Sequence, residues 1–74
     1  YFGDASVLLR MMAEGLGWRF AVTGPGPHMP IFVTVSAKGE PAEEVLRQMA
    51  LQLGGRADIA LRDSMLELRY RPHR

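Results

Sequence analysis

The chain has 74 residues, of which 47% are hydrophobic and 23% are charged, a composition typical of one small soluble globular domain. Its formal net charge of +1 at pH 7 is too small to indicate nucleic-acid binding by itself. The chain contains no cysteine, which excludes disulfides, thiolate metal ligands and cysteine nucleophiles, and no apolar run approaches the roughly 20 residues that span a bilayer.

The first predicted helix covers Ala5–Gly15. Asp4 precedes it and suits the N-cap, because its carboxylate can accept hydrogen bonds from the unpaired N–H groups of the first turn. Gly17 suits the left-handed residue that commonly ends a helix. Apolar residues recur between these two caps at helical spacing, namely Val7, Leu8, Met11, Met12 and Leu16.

A second helix is predicted over Pro41–Leu53. Pro41 fits the first helical position, since the missing N–H of proline costs nothing there. Glu43 and Glu44 place negative charge at the positive end of the helix dipole, and Gly54-Gly55 stops the helix. The apolar stripe consists of Val45, Leu46, Met49, Ala50 and Leu53, with Arg47, Gln48 and Gln52 on the other side.

The remaining segments alternate with a period of two, as half-buried strands do. The last two strands are joined around Asp63-Ser64, which is short enough for an antiparallel hairpin, and Pro72 closes the final strand. Together with the helices, these segments predict a small α+β domain whose helices pack against mixed sheet. The strand segments are Trp18–Val22, Ile31–Ser36, Ala57–Arg62 and Leu66–Arg71, with Tyr1-Phe2 as the stub of an opening strand. Within them the apolar residues that share a face are Trp18, Phe20 and Val22; Ile31, Val33 and Val35; Ala57, Ile59 and Leu61; and Leu66, Leu68 and Tyr70.

The segment Gly24–Pro30 contains three prolines and two glycines, which forbid regular structure and keep the chain stiff and extended. One interpretation is a proline-rich docking site. The other, which the pattern favours, is a rigid crossover between strands that belong to different sheets.

The sequence offers no constellation that resembles an active site. The three serines have no histidine placed to activate them, and His28 and His73 have no partners at metal-ligand spacing. Asp58 and Glu67 lie on the polar faces of neighbouring strands, where they can pair with Arg69 or Arg62 across the sheet. We therefore expect no enzyme activity, no metal and no cofactor.

The sequence instead predicts an interaction surface on the polar side of the strands. Four outward arginines, interleaved with Asp58 and Glu67, would form a mixed-charge face, and arginine is enriched in protein interfaces. Open strand edges could also add a strand from a partner. A further basic cluster, in which His73 and Arg74 join the last two of these arginines, is interpreted as a solvated tail. The candidate interface residues are Arg19, Arg62, Arg69 and Arg71.

In combination and order, five segments resemble the DotD/TraH lipoprotein family of type IVB secretion (Dot/Icm) and conjugation systems. The resemblance runs from Tyr1 to Tyr70. The segments are Gly17–Gly24, Pro30–Val35, Pro41–Arg47, Gln52–Ile59 and Leu66–Tyr70.

The resemblance implies a fold similar to the N-terminal ring domain of secretins and the signalling domain of TonB-dependent receptors. In that fold two helices lie between a two-stranded and a three-stranded sheet. Tyr1-Phe2 would pair with Ile31–Ser36, and the other three strands would form the larger sheet. Residues 1–74 would then be a single secretin-like domain. Because the chain begins at Tyr1 rather than at methionine, we expect it to be a fragment of a longer lipoprotein.

The resemblance also implies a function, which is assembly rather than catalysis. The protein would be held on the periplasmic face of the outer membrane by a lipid anchor upstream of Tyr1. It would join a ring with partners similar to DotC and DotH, without binding nucleic acid. One alternative is a signalling or ring domain of a secretin or TonB-dependent receptor. A small RNA-binding domain is less favoured, because base stacking needs exposed aromatic residues, whereas Trp18, Phe20 and Tyr70 are in phase with the core.

Overall fold

A computed structural model describes residues 1–36, 39 and 41–72. The predicted α+β class and the order of helices and strands are confirmed. His73 and Arg74, and with them the predicted basic tail, lie outside the described residues. The elements are β1 (Phe2–Asp4), α1 (Ala5–Leu16), β2 (Arg19–Thr23), β3 (Phe32–Thr34), α2 (Ala42–Leu53), β4 (Ala57–Arg62) and β5 (Met65–Tyr70).

Helix α1 has both of the predicted caps. The Asp4 carboxylate accepts a hydrogen bond from the Ser6 N–H at 2.9 Å, and Gly17 ends the helix with φ 73°. The helix extends one residue past the predicted end. Its buried stripe is Ala5, Leu9 and Ala13, whereas two residues of the predicted apolar series, Met11 and Leu16, are exposed. The apolar residues occupy more than one side of α1: the i, i+4 stripe is fully buried, and Leu8 and Met12 of the predicted series pack against the core partly buried.

Helix α2 begins at Ala42, so the prediction that Pro41 is its first helical residue is wrong. Pro41 has extended backbone with ψ 153° and lies at the N-cap, where its carbonyl accepts from the Glu44 N–H at 3.0 Å. Gly54 ends the helix as predicted, with φ 61°. The residues of the predicted stripe that become buried are Val45, Met49 and Leu53, while Ala50 is exposed.

The strands form a two-stranded and a three-stranded sheet, as the family resemblance implies. In the small sheet β1 is antiparallel to β3, with Phe2 opposite Thr34. In the large sheet the order is β2-β5-β4, and β5 lies parallel to β2 and antiparallel to β4. The predicted hairpin at Asp63-Ser64 is present. Both turn residues have positive φ (50° and 59°), as the tight turns that match the twist of a hairpin require.

One hydrophobic core lies between the inner faces of the two sheets, and both helices contact both sheets. Trp18, Phe20 and Val22 are half-buried against this core. Leu61 lies on its predicted face, opposite the buried Leu66, but it is 52% exposed because it is beside the hairpin turn, beyond the buried end of β4. No helix within the described residues is long and apolar enough to span a membrane. The buried residues of the hydrophobic core are Ala5, Leu9, Ala13, Ile31, Val33, Val35, Val45, Met49, Leu53, Ala57, Leu66, Leu68 and Tyr70.

Candidate protein-interaction surfaces

The four candidate arginines lie on one surface, the outer face of the large sheet, because strand alternation places them opposite the buried Leu66 and Leu68. The register aligns residues of β2, β5 and β4 in rows across this face. All four arginines are exposed. We call this surface the arginine face; its residues are Arg19, Met65 and Arg62 in the first row, Ala21, Glu67 and Ala60 in the second, Thr23, Arg69 and Asp58 in the third, and Arg71 beyond them.

Glu67 lies at the centre of the arginine face and is only 8% exposed. The Thr23 hydroxyl donates to Glu67 Oε2 at 2.5 Å, and Arg69 Nη2 donates to Oε1 at 3.1 Å. Arg62 Nη2 lies 3.8 Å from the same Oε1. The hydrogen bonds from Thr23 and Arg69 lower the pKa of Glu67 below its ordinary value. The predicted pair across the sheet is present with Arg62, whereas Arg69 reaches Glu67 along the same strand, two residues on.

The burial of Glu67 was not predicted, since its strand position indicated a solvated side chain. Its neighbours across the two strands are Ala21 and Ala60, whose small side chains leave room for the carboxylate close to the sheet. The longer side chains of Thr23, Arg62 and Arg69 then reach it from around this space. A pattern of small residues beside a central glutamate is the signal that could have predicted this arrangement.

Asp58 faces Arg69 across the sheet, as predicted, but its ion pair is with Arg71. Two hydrogen bonds join Arg71 to the Asp58 carboxylate at 2.8 and 2.9 Å. The bonds from Arg71 lower the pKa of Asp58 and raise that of Arg71. Arg69 lies directly across from Asp58, but its guanidinium bonds to Glu67 instead. At this end of the arginine face, the positive charge of Arg71 is therefore paired with the negative charge of Asp58.

Guanidinium groups on a sheet face can bind a carboxylate through paired hydrogen bonds or stack on an aromatic ring. Arg62 and Arg69 meet at Glu67, and Arg19 lies in the same row as Arg62 on the other side of Met65. Arg71 lies apart with Asp58. The structure therefore brings two of the four candidate arginines, Arg62 and Arg69, together at Glu67, while Arg19 shares only a row of the sheet with Arg62.

The outer face of the small sheet carries a second exposed surface, which we did not predict. Phe2 and Phe32 are 74% and 60% exposed, and their rings stack with centroids 6.0 Å apart. Asp4 lies opposite Phe32, and Thr34 lies opposite Phe2. These four residues define the aromatic face. The sequence contained a signal for this exposure: Phe32 lies between the buried Ile31 and Val33, so strand alternation places it on the opposite, outer face.

One edge of the small sheet is covered by two glutamine side chains of α2. The Gln52 amide accepts from the Thr34 N–H at 2.7 Å and donates to the Thr34 carbonyl at 2.6 Å. Gln48 makes the same pair of bonds with the main chain of Ser36 at 3.4 and 3.3 Å. The amides thus take the place of a neighbouring strand. From sequence we placed both glutamines on the polar side of α2 and assigned them no partner.

The segment Gly24–Pro30 crosses from β2 in the large sheet to β3 in the small one, so the predicted crossover is confirmed. It packs on Tyr70, whose hydroxyl donates to the Met29 carbonyl at 2.6 Å and whose ring stacks on His28. Gly24 is required where the segment starts, since it has φ 94° and an added Cβ would collide with the Tyr70 carbonyl oxygen.

A pocket of about 320 Å³ lies beneath this crossover. Arg56 and Arg71 border it, but Arg56 bonds to main-chain carbonyls at the end of α2 and Arg71 bonds to Asp58. The proline-rich docking interpretation stays a prediction. In residues 1–36, 39 and 41–72, no group of three or more histidine, aspartate or glutamate side chains is placed to hold a metal ion. The apolar lining of the pocket includes Pro25, Pro27, Met29, Pro30, Ile31 and Pro72.

The comparison with known families agrees with the resemblance found in the sequence. A family model described as DotD protein matches residues 1–71, a range that contains every helix and strand of the structure. No curated protein matches the chain. The chain therefore belongs to the DotD family, whose members are structural components of type IV secretion systems in the cell envelope.

Proposed function

We propose that this chain is a non-catalytic assembly domain in the outer-membrane core of a type IVB (Dot/Icm-like) secretion or conjugation system. It acts by protein–protein contacts within a periplasmic ring. The observation that carries this proposal is the arginine face, where exposed guanidinium groups are held around one buried carboxylate. Arginine held in place loses less conformational entropy when a partner binds, which suits it to an interface.

The proposal extends to the rest of the protein. Residues 1–74 form one domain of a longer lipoprotein, and a lipid anchor upstream attaches that protein to the periplasmic face of the outer membrane. Its partners are core components similar to DotC and DotH. We do not include nucleic acid among them, because on the large sheet, which carries the arginines, Trp18, Phe20 and Tyr70 pack against the core and leave no ring on the outer face for bases to stack on.

The test is a pull-down of the full-length native protein from detergent-solubilised cell envelope, with mass spectrometry of the proteins that co-purify. We expect outer-membrane core components with the wild-type protein. The double variant Arg19→Ala/Arg69→Ala should reduce their recovery about tenfold, the effect of losing about 1.4 kcal/mol of binding free energy. Arg10→Ala, which removes an exposed arginine from α1, is the matched control.

Circular dichroism of each variant checks that the fold is intact. Recovery of no envelope component with the wild-type protein would refute the proposal. Recovery of this domain within a secretin or a TonB-dependent receptor polypeptide would replace it with the alternative of a ring or signalling domain.

A further inference from the structure

The structure exposes two faces of complementary chemistry on the two sheets. We propose that the aromatic face of one copy of this chain packs on the arginine face of a second copy, head to tail. This inference rests on the proposed function and deepens it, because it names a second copy of the chain as a partner and assigns the contacting surfaces.

The aromatic face offers what a cationic partner surface recognises. The rings of Phe2 and Phe32 carry no hydrogen-bonding group, and more than half of each side chain is exposed to solvent. The two rings are nearly parallel, with an interplanar angle of 18°, and stack as one exposed aromatic pair. Asp4 lies directly across from Phe32; its carboxylate caps α1 by accepting from the Ser6 N–H and hydroxyl through Oδ1, and it supplies the negative charge of this sheet. The face thus combines aromatic π-surfaces with negative charge.

The arginine face offers the matching groups. Its first row is Arg19, Met65 and Arg62, one residue from each strand of the large sheet. A guanidinium over a phenylalanine ring gains cation–π energy, and a thioether makes favourable contacts with an aromatic ring. Arg62 is the better placed guanidinium, because its side chain is 66% exposed and its distance to Glu67 is 3.8 Å. The whole arginine face carries four arginines against two carboxylates, Glu67 and Asp58, so it is positively charged, whereas the charged residue of the aromatic face is Asp4.

The contact must form between copies. Each sheet packs its inner face on the shared core, so the two outer faces point away from that core and cannot meet within one molecule. Each copy would then use a different surface towards each of its two neighbours. A contact of this kind is heterologous, and it produces rings or open filaments rather than closed dimers. The edge of β3 beside the aromatic face is already paired with Gln48 and Gln52, which favours packing through the face over strand addition at that edge.

Disulfide cross-linking tests this contact, because residues 1–74 contain no cysteine of their own, so any linked peptide from this domain carries an introduced one. Full-length protein carrying Phe32→Cys is mixed with full-length protein carrying Met65→Cys, oxidised, and the linked peptides are identified by mass spectrometry. We expect the mixed linkage, which joins the cysteine introduced in β3 to the one introduced in β5, to dominate over either self-linkage. A mixture of Leu51→Cys with Met65→Cys is the control, since Leu51 is exposed on α2 and belongs to neither face.

Charge reversal supplies the second measurement. Adding Arg62→Glu to the Met65→Cys protein should reduce the mixed linkage about tenfold, whereas Arg10→Glu should leave it unchanged. A dominant self-linkage of Phe32→Cys would show a symmetric contact and overturn the head-to-tail arrangement. No linkage above the Leu51→Cys control would overturn the inference altogether. Envelope partners recovered without the linkage would refute this inference alone; the linkage without envelope partners would refute the proposed function alone.

Discussion

Glu67 is a buried carboxylate on a face that is otherwise exposed to solvent, and three side chains bond or approach it. Its hydrogen bonds hold the pKa below the ordinary value of 4.5, so the ionised form is more stable in the folded protein than in the unfolded chain. The resulting stabilisation is fully present above the unfolded pKa. It is lost as the pH falls through the folded pKa, because protonation removes the negative charge of Glu67 that attracts Arg69 and Arg62.

The variant Glu67→Gln should therefore be less stable than the wild type at neutral pH. As the pH falls below about 4.5, its free energy of unfolding should decline less than that of the wild type, so the two curves converge. Urea unfolding measured from pH 3 to pH 7 gives this comparison. Glu14→Gln removes an exposed carboxylate from α1 and is the control. Parallel curves for wild type and Glu67→Gln would show that Glu67 does not contribute to the acid dependence.

At single positions the sequence predicted the identity of charged groups better than their partners. The four arginines of the face follow from strand alternation, because a period of two fixes the side on which each residue lies. Strand alternation does not predict that Asp58 pairs with Arg71 rather than with Arg69. That pairing depends on the bond that Arg69 makes to Glu67. Pairing of long side chains depends on competition between neighbours, which a one-dimensional pattern does not contain.

Helix α2 stabilises β3 by direct hydrogen bonds as well as by packing. Gln48 and Gln52 are one helical turn apart, and Thr34 and Ser36 are two residues apart along an extended chain, so both amides face main-chain groups on the same side of the strand. A sheet of two short strands is marginal by itself. The glutamines extend it by what amounts to a third strand, and the contact orients α2 against the small sheet.

Replacing Gln52 by methionine tests this contact, because methionine keeps the length and helix propensity while removing both hydrogen bonds. We expect a loss of about 1–2 kcal/mol in the free energy of unfolding, from two bonds at an exposed site. The Thr34 amide hydrogen should also exchange faster with solvent. Leu51→Met, at the neighbouring exposed position of α2, is the control. Unchanged stability and unchanged exchange at Thr34 would show that the amide bonds do not stabilise the edge.

The elements themselves were predictable because their ends carry local chemistry. Asp4, Gly17 and Gly54 act within one turn of backbone, so their effect can be derived from neighbouring residues alone. Burial was less predictable: Met11 and Leu61 are as apolar as their buried neighbours but are exposed. Whether an apolar side chain is covered depends on where the other helices and strands end.

The division of the strands into two sheets, by contrast, could not be derived from periodicity. Period-two alternation identifies each strand but not its neighbour, and the pairing of β2 with β5 joins segments far apart in sequence. The membership of the two sheets came from the family resemblance, and the structure confirms it; the order β2-β5-β4 within the large sheet was not predicted. The proline-rich crossover is the local feature that agrees with it, because a stiff extended segment can connect two sheets on opposite sides of one core. The likeness to secretin ring domains stays a prediction.

Tyr70 joins this crossover to the large sheet, and Tyr70→Phe tests how much that attachment contributes to the whole fold. Loss of the 2.6 Å bond to the Met29 carbonyl should cost about 0.5–1.5 kcal/mol, because the exposed carbonyl is rehydrated. Burial raises the pKa of Tyr70, so the stabilisation should be present below about pH 10 and decline at higher pH. Urea unfolding at pH 7 and above pH 10 should therefore show that the free energies of unfolding of wild type and Tyr70→Phe converge at high pH.

Tyr1→Phe, which removes an exposed 3.3 Å bond, is the matched control and should change the free energy of unfolding little. Equal losses in the two variants would mean that the crossover is held by its prolines and not by the Tyr70 hydroxyl.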